Sequence, residues 1–351
     1  MGKSIGRFVL LTVAILAVAC GRNRLPGTDD RVIKLMTHDS FDIGAEVLSS
    51  FEEQSGYRVE VFKAGDGGEA LNKAILAKDA PLADVFYGVD NTFLSRALEN
   101  ELFLPYDSPK LDDISDALEL DPQSRALPVD YGDICLNYDV NWFRDRGVAP
   151  PDDLADLVSP EYNSLTVVEN PATSTPGLGF LLVTIDAFGE DGYLKYWQQL
   201  VDNGALVVDG WEQAYYSHFT AASDGDKPIV VSYASSPVAE VYFAEQPLDE
   251  APTAAVVSDG TCFRQIEFVG ILRGTEVEDG ARQLIDFMLD EQFQEDIPLK
   301  MFVYPANESA QLPEVFAEHS TIPDVPSQID PARIAANREA WIEAWTGIAL
   351  R

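Results

Sequence analysis

The chain has 351 residues and 46% hydrophobic content, enough for one large domain or two of moderate size around a real core. Its 59 acidic residues outweigh 24 basic ones, giving a formal net charge of −35. That balance argues against nucleic acid, whose phosphates need clustered Lys and Arg, and is compatible with a cationic ligand.

The N-terminus reads as a targeting segment. Lys3 and Arg7 precede an apolar run of twelve residues, Phe8 to Ala19, too short to span a bilayer comfortably. Ala17-Val18-Ala19-Cys20 resembles the end of a bacterial lipoprotein signal, which implies removal of residues 1–19, lipidation of Cys20 and a short polar tether over 20–30. Arg31–Thr37 alternates as a strand and opens into the polar loop His38–Phe41. Ile43, Val47, Leu48 and Phe51 have helical spacing. Tyr57–Phe62 is a second strand, followed by a Gly-rich turn at 64–68 and a helix from Glu69 to about Lys78. Asp84–Val89 is a third strand, with Asp90-Asn91 read as the cap of the next helix. Residues 31–100 thus read β-α-β-α-β-α, a parallel sheet wrapped by helices.

Ala126–Tyr138 is a long extended stretch, read as a crossover into a second domain. A second βα series follows. Leu165–Val168 leads into Asn170–Gly179, where Thr175 reads as an N-cap and Pro176 as the first residue of a helix running to about Phe188. Asp191–Val201 is helical, and Leu206–Val208 is a short strand. Asp209 and Glu212 have capping-box spacing around Trp211. Pro228–Tyr233 is a buried strand, with Ser as cap and Pro237 at the start of the next helix. Ala251–Val257 and Cys262–Leu272 are the last strands, the second long enough to return the chain to the first domain. Short helices over 280–289 and 291–297 precede a final helix, Pro331–Trp345, anchored by Ile334, Trp341 and Trp345. The organisation is two α/β halves joined by two or three extended crossovers. Domain 1 spans 31–129 plus about 262–300, and domain 2 spans about 130–261 plus about 301–351.

Catalytic vocabulary is thin. The three histidines make no HExxH, and GxSxG, P-loop and GxGxxG patterns are missing. Cys135 and Cys262 have no zinc-ligand spacing; outside the cytoplasm they are expected to form a structural disulfide, with a loop-entropy gain of about 4–5 kcal/mol. What recurs is a polar loop at the C-terminal end of a strand: His38–Phe41, Asp66–Gly68, Ser174–Gly177, Tyr233–Ser236 and the junction at Trp211. In open α/β sheets ligands sit at such ends, so two facing halves would gather all five around one cleft and close on a ligand by hinge motion. Trp211 and Tyr233 offer π surfaces for a heteroaromatic or cationic ring, and Asp66 offers a charge partner. Ser174, Thr175, Ser235 and Ser236 offer hydroxyls near helix N-termini, suited to a hydroxyl or phosphate.

At these residues the chain resembles the thiamine-binding components of bacterial ABC importers, a branch of the type II periplasmic binding proteins. The carriers are Thr37-His38-Asp39-Ser40-Phe41, Asp66-Gly67, Ala83-Asp84-Val85 with Asp90-Asn91, Val129-Asp130-Tyr131-Gly132, Ser174 to Gly179, Gly210 to Tyr215, Val231 to Pro237, Tyr304-Pro305-Ala306-Asn307 and Trp341 to Trp345. The resemblance covers about residues 31–350. It implies a two-domain α/β fold with hinge strands, and a monomer that is not an enzyme and needs no cofactor or metal. It also implies an extracytoplasmic location, held to the membrane only by a lipid anchor. The ligand would be thiamine or its mono- or diphosphate, delivered to an ABC permease. The implied ligand positions are His38, Asp66, Gly67, Ser174, Thr175, Trp211, Tyr233, Ala234, Ser235 and Ser236. His38 stands where an aromatic is common, and Ala234 where a threonine can occur. Two other functions remain open on this scaffold: ferric-ion binding through the adjacent Tyr215-Tyr216 pair, and phosphate-ester hydrolysis using Asp66 and a metal.

Overall fold

Period-two apolar patterning gives way to helical patterning seven times along the chain, and the tertiary structure follows that alternation. The computed structural model describes residues 31–350 apart from Asp249 and Gln328. The proposed signal segment, Cys20 and the tether lie outside the described residues. The strands are β1 (Val32–Thr37), β2 (Arg58–Lys63), β3 (Val85–Asp90), β4 (Phe103–Leu104), β5 (Leu127–Asp139) and β6 (Thr166–Glu169). After them come β7 (Leu206–Val208), β8 (Ile229–Tyr233), β9 (Thr253–Val256), β10 (Phe263–Leu272) and β11 (Tyr304–Pro305).

These strands form one mixed sheet with the main order β2-β1-β3-β10-β5-β8-β6-β7. The first βα series supplies a parallel section, β2-β1-β3. The second supplies another, β8-β6-β7. Between them run β5 and β10, the two stretches read as crossovers, antiparallel to each other and to their outer neighbours. The N-terminal part of β5 pairs with β10, and its C-terminal part pairs with β8 and β9. A long strand can do this because its two ends serve different neighbours. Cys135 and Cys262 are bridged, with Cα atoms 4.5 Å apart, and so tie β5 to the start of β10.

Helices cover the sheet. Thr175–Phe188 is apolar all round and buried from Thr175 to Ile185, because the sheet lies on one side and other helices on the other. Phe180 meets Trp197 edge-on at 5.6 Å, and Trp197 meets Trp345 at 5.4 Å. Trp197 Nε1 donates to Thr184 Oγ1 at 2.9 Å, so the buried indole is paired. The last helix, Pro331–Ala349, braces both series. Its buried Arg338 donates to Thr92 O (3.0 Å) and Ser95 Oγ (3.1 Å), while Trp341 Nε1 donates to Glu190 at 2.8 Å.

Four cap readings change. The second helix starts at Gly67, two residues early, because Asp66 caps it. Asp90 does not cap a helix; it accepts from Thr92 N at 2.6 Å in a local turn. Thr175 lies inside its helix and not at the cap, and its hydroxyl is drawn away to Asp90. Neither the Asp209/Glu212 box nor a serine cap before Pro237 forms: Gly210 and Ser235 occupy the cap positions without side-chain cap bonds. For Thr175 and Ser235 a tertiary partner, the Asp90 carboxylate or the Phe302 carbonyl, takes the hydroxyl instead.

Candidate functional site

The five junctions converge. Residues from all of them line one cleft of about 770 Å³, in the usual size range for small-molecule sites. The first two are tied together: Asp39 Oδ1 accepts from Gly65 N at 2.9 Å, a turn that places Gly65 at φ 101°, a region that suits glycine. The next residue, Asp66, caps helix Gly67–Leu76 through Oδ1 (Gly67 N, 2.7 Å). The same carboxylate accepts from Thr175 N at 3.2 Å and from Trp211 N at 3.0 Å. Burial pushes the Asp66 carboxyl up, against the pull of the Trp211, Gly67 and Thr175 N–H groups.

This approach leaves no room beside Gly67. A Cβ there would fall 2.5 Å from Thr175 Oγ1. The Thr175 hydroxyl donates to Asp90 Oδ2, and burial raises the Asp90 pKa to about 6. Behind this wall lies Glu169, fully buried, with neither carboxyl oxygen hydrogen-bonded. Burial, and then the Asp66 charge, hold Glu169 well above the usual carboxylate range.

The opposite wall is aromatic. Trp211 stacks on Tyr215 with centroids 5.1 Å apart and meets Tyr233 at 6.4 Å and Tyr216 at 5.5 Å. Its Nε1 donates to Ser232 Oγ at 2.8 Å, and Ser232 Oγ lies 2.8 Å from Ser236 Oγ. Tyr233 Oη donates to Gln265 at 2.7 Å, and Tyr215 Oη to Glu240 at 2.8 Å. The rings are therefore held by their polar ends, leaving faces and edges for a ligand. Ser235 is committed to the Phe302 carbonyl.

At the hinge strands, His38 Nε2 lies 3.4 Å from Glu267 Oε1. Burial would lower the His38 pKa, but Glu267 outweighs it and holds the imidazole above its ordinary value. Glu267 faces Asp130 across the β5/β10 ladder, and the Tyr87 hydroxyl lies 2.6 Å from Asp130 Oδ2 and 3.1 Å from Glu267 Oε2. Burial and the neighbouring Glu267 push Asp130 well up, while Glu267, despite its burial, is held down by His38. The two facing carboxyls are thus pushed in opposite directions.

Of the ten expected ligand positions, the cleft is lined by eight: His38, Asp66, Gly67, Thr175, Trp211, Tyr233, Ser235 and Ser236. Ser174 and Ala234 are buried behind the surface, Ala234 against the Cys135–Cys262 bridge. Tyr215 and Tyr216, the pair weighed for ferric ion, also line it, as do residues not anticipated, chiefly Glu240, Gln265, Glu267 and Phe302. Phe302 sits at φ 56°, uncommon for a bulky residue, and its ring lies among Tyr242, Phe243 and Phe316. Glu267 had a readable sign, a carboxylate between Ile266 and the apolar run Phe268–Leu272. Phe302 had none, since only the return of the chain from β10 brings it there. Among the described residues no His, Cys, Asp and Glu group is arranged to hold a metal ion.

The model of the bacterial extracellular solute-binding protein family matches residues 80–324. The chain is 30% identical over 321 residues to the thiamine-binding periplasmic protein of Escherichia coli (strain K12), covering 90% of this chain and 92% of that one. A solved periplasmic thiamin binding protein superposes with a TM-score of 0.80 at 28% identity, covering 91% of this chain and 96% of the other. The ferric binding protein from Campylobacter jejuni shares the fold alone, with a TM-score of 0.72 at 16% identity over 90% of this chain and 99% of that one.

Proposed function

The chain belongs to the bacterial extracellular solute-binding proteins, and from that premise we propose that its cleft captures thiamine, or thiamine mono- or diphosphate, for delivery to an ABC permease. Its fold is the two-domain type II arrangement of periplasmic binding proteins, and the protein works outside the cytoplasm. The carrying observation is the pairing of an aromatic wall (Trp211, Tyr215, Tyr233) with carboxylates in one small cleft. An aromatic cation is enclosed by π faces and attracted by the acidic lining. The thiamine named for the Escherichia coli relative has that chemistry.

In this reading the protein is a monomer that binds and releases its ligand unchanged and uses no cofactor. Its two lobes are 31–129 plus about 262–300, and about 130–261 plus about 301–351. They close about β5 and β10, and Cys20 carries a lipid anchor. Trp211 and Tyr233 enclose the rings, and His38 and Gly67 shape the wall. Asp66, Thr175, Ser235 and Ser236 surround the polar end, with Ser174 and Ala234 supporting from behind. Calorimetry with thiamine at micromolar concentration tests this, and a folded protein giving no heat refutes it. The ferric-ion reading requires phenolates, but burial and then Glu240 hold Tyr215 well above its ordinary pKa. A red charge-transfer band on adding iron would restore that reading. Turnover of thiamine phosphate would restore the hydrolase.

A further inference from the structure

Strand β5 changes partners at Cys135. Up to Ile134 one of its edges pairs with β10, Asp133 opposite Arg264 and Ile134 opposite Phe263. From Leu136 onward the same edge pairs with β9. The bridge to Cys262 lies at this fork, in the loop between β9 and β10. On its other edge β5 pairs with β8, Ile134 opposite Tyr233 and Cys135 opposite Ser232. Those two β8 residues anchor the aromatic wall. Ser232 Oγ accepts from Trp211 Nε1 at 2.8 Å, and Tyr233 Oη donates to Gln265 of β10 at 2.7 Å. The loop after β8 is fastened to the same base: Ala234 N donates to Asp133 O at 2.8 Å, and Asn137 Nδ2 to Tyr233 O at 3.0 Å. Ala234 packs with Cys135 and Cys262 in a small buried cluster of their own.

We propose that the Cys135–Cys262 bridge is a positioning element for the aromatic wall of the cleft, and that it couples the redox state of the protein to its affinity for ligand. Only the identity of the ligand rests on the thiamine reading. The chemical step is thiol–disulfide exchange. An external dithiol gives two electrons and two protons, becomes its own cyclic disulfide, and leaves Cys135 and Cys262 as thiols. Two thiols need more room than one bridge. Both cysteines are buried, so the room comes from the residues packed on them, Ala234, Ala255 and Val257. Ala234 sits between Tyr233 and Ser235, which both line the cleft, so its displacement reaches the ligand wall. The neighbouring rung stays fastened without the bridge, because Arg264 donates to both Asp133 carboxylate oxygens at 3.0 and 2.9 Å. Reduction therefore loosens the fork and leaves the two strands paired. Coupling is reciprocal: a ligand that prefers the bridged form also protects the bridge.

The test measures thiamine affinity by calorimetry on the bridged protein and on the dithiol form made with dithiothreitol, with circular dichroism to confirm folding. The dithiol form should bind more weakly by about tenfold or more. In dithiothreitol redox buffers, saturating thiamine should then lower the reduction potential of the bridge by about 30 mV or more, the equivalent of that tenfold. A bridge that only stabilises the fold gives both folded forms one affinity and leaves the potential unmoved, and that result overturns the proposal. Ala234→Val guards against a dithiol form that unfolds, since it keeps the bridge and overpacks the contact. It should weaken thiamine by about fivefold or more, and parental affinity in this variant likewise overturns the proposal. A protein that takes no thiamine refutes the thiamine reading alone. The positioning role is then decided without ligand, by acrylamide quenching of Trp211, taken as the difference between the parent and Trp211→Phe. That quenching should rise on reduction and on Ala234→Val, and an unchanged value overturns the role.

Discussion

Thr175→Val should destabilise the protein more at pH 7 than at pH 5. Asp90 is 1% exposed and accepts two hydrogen bonds, from Thr92 N and from the Thr175 hydroxyl. Burial raises its pKa from 3.8 to about 6. A folded-state pKa above the unfolded one means that the native state binds the extra proton. The associated stability is fully present below pH 3.8 and is lost as pH rises through about 6. That gap corresponds to about 3 kcal/mol. Thr175 eases the burden by donating to the charged form. A hydrogen bond to an ionised partner contributes about 1.5–3 kcal/mol, one to a neutral partner about 0.5–1.5. Valine keeps the shape and removes the donor. Urea unfolding should therefore show a loss of about 2–3 kcal/mol at pH 7, where Asp90 is ionised, and about 1 kcal/mol at pH 5, where it is largely protonated. An equal loss at both pH values would refute the assignment of Asp90 as the titrating partner.

Three further outcomes follow from separate parts of the fold. Trp211→Ala should weaken thiamine binding by about 2 kcal/mol, roughly 30-fold, and Trp211→Phe by less, since a ring remains and only the bond to Ser232 is lost; equal calorimetric losses would contradict the stacking role. Replacing both Cys135 and Cys262 by serine opens a loop spanning 127 residues and should cost about 5 kcal/mol in the chain-entropy treatment, read as a lower urea midpoint under non-reducing conditions. Glu169→Gln should leave stability at pH 7 unchanged or higher, because burial holds the unpaired carboxyl well above the usual carboxylate range and the amide carries no charge to bury; a loss of more than about 1 kcal/mol by the same assay would contradict that.

Both βα series, the two crossover strands and the C-terminal helix were legible because each rests on local patterning. Ile43, Val47 and Phe51 can share a face only as a helix, and the extended runs 127–139 and 263–272 are too long and apolar for loops. Four of the five junctions were visible as clusters of small and polar residues, and the fifth by its tryptophan. Their convergence followed from strand polarity, since parallel strands place the loops after them at one end of the sheet. The disulfide was legible as a leftover pair in a chain with an export-like start.

Capping was less legible, because Asp, Ser and Thr at a helix start have local N–H partners in every α/β protein. Whether they use them depends on what approaches from elsewhere. Asp66 takes two N–H groups from 109 and 145 residues away, and Thr175 gives its hydroxyl to a carboxylate 85 residues back. The sequence by itself determined which segments are strands and helices, where the polar junctions fall, and that the lining would be aromatic and acidic. Only the tertiary structure decided that Asp130 and Glu267 face each other, that Phe302 reaches the cleft, and that Asp66 holds three backbone donors. The physical reason is that patterning acts over one or two turns of chain, whereas a carboxylate's charge state and partners are set by whatever the fold packs around it.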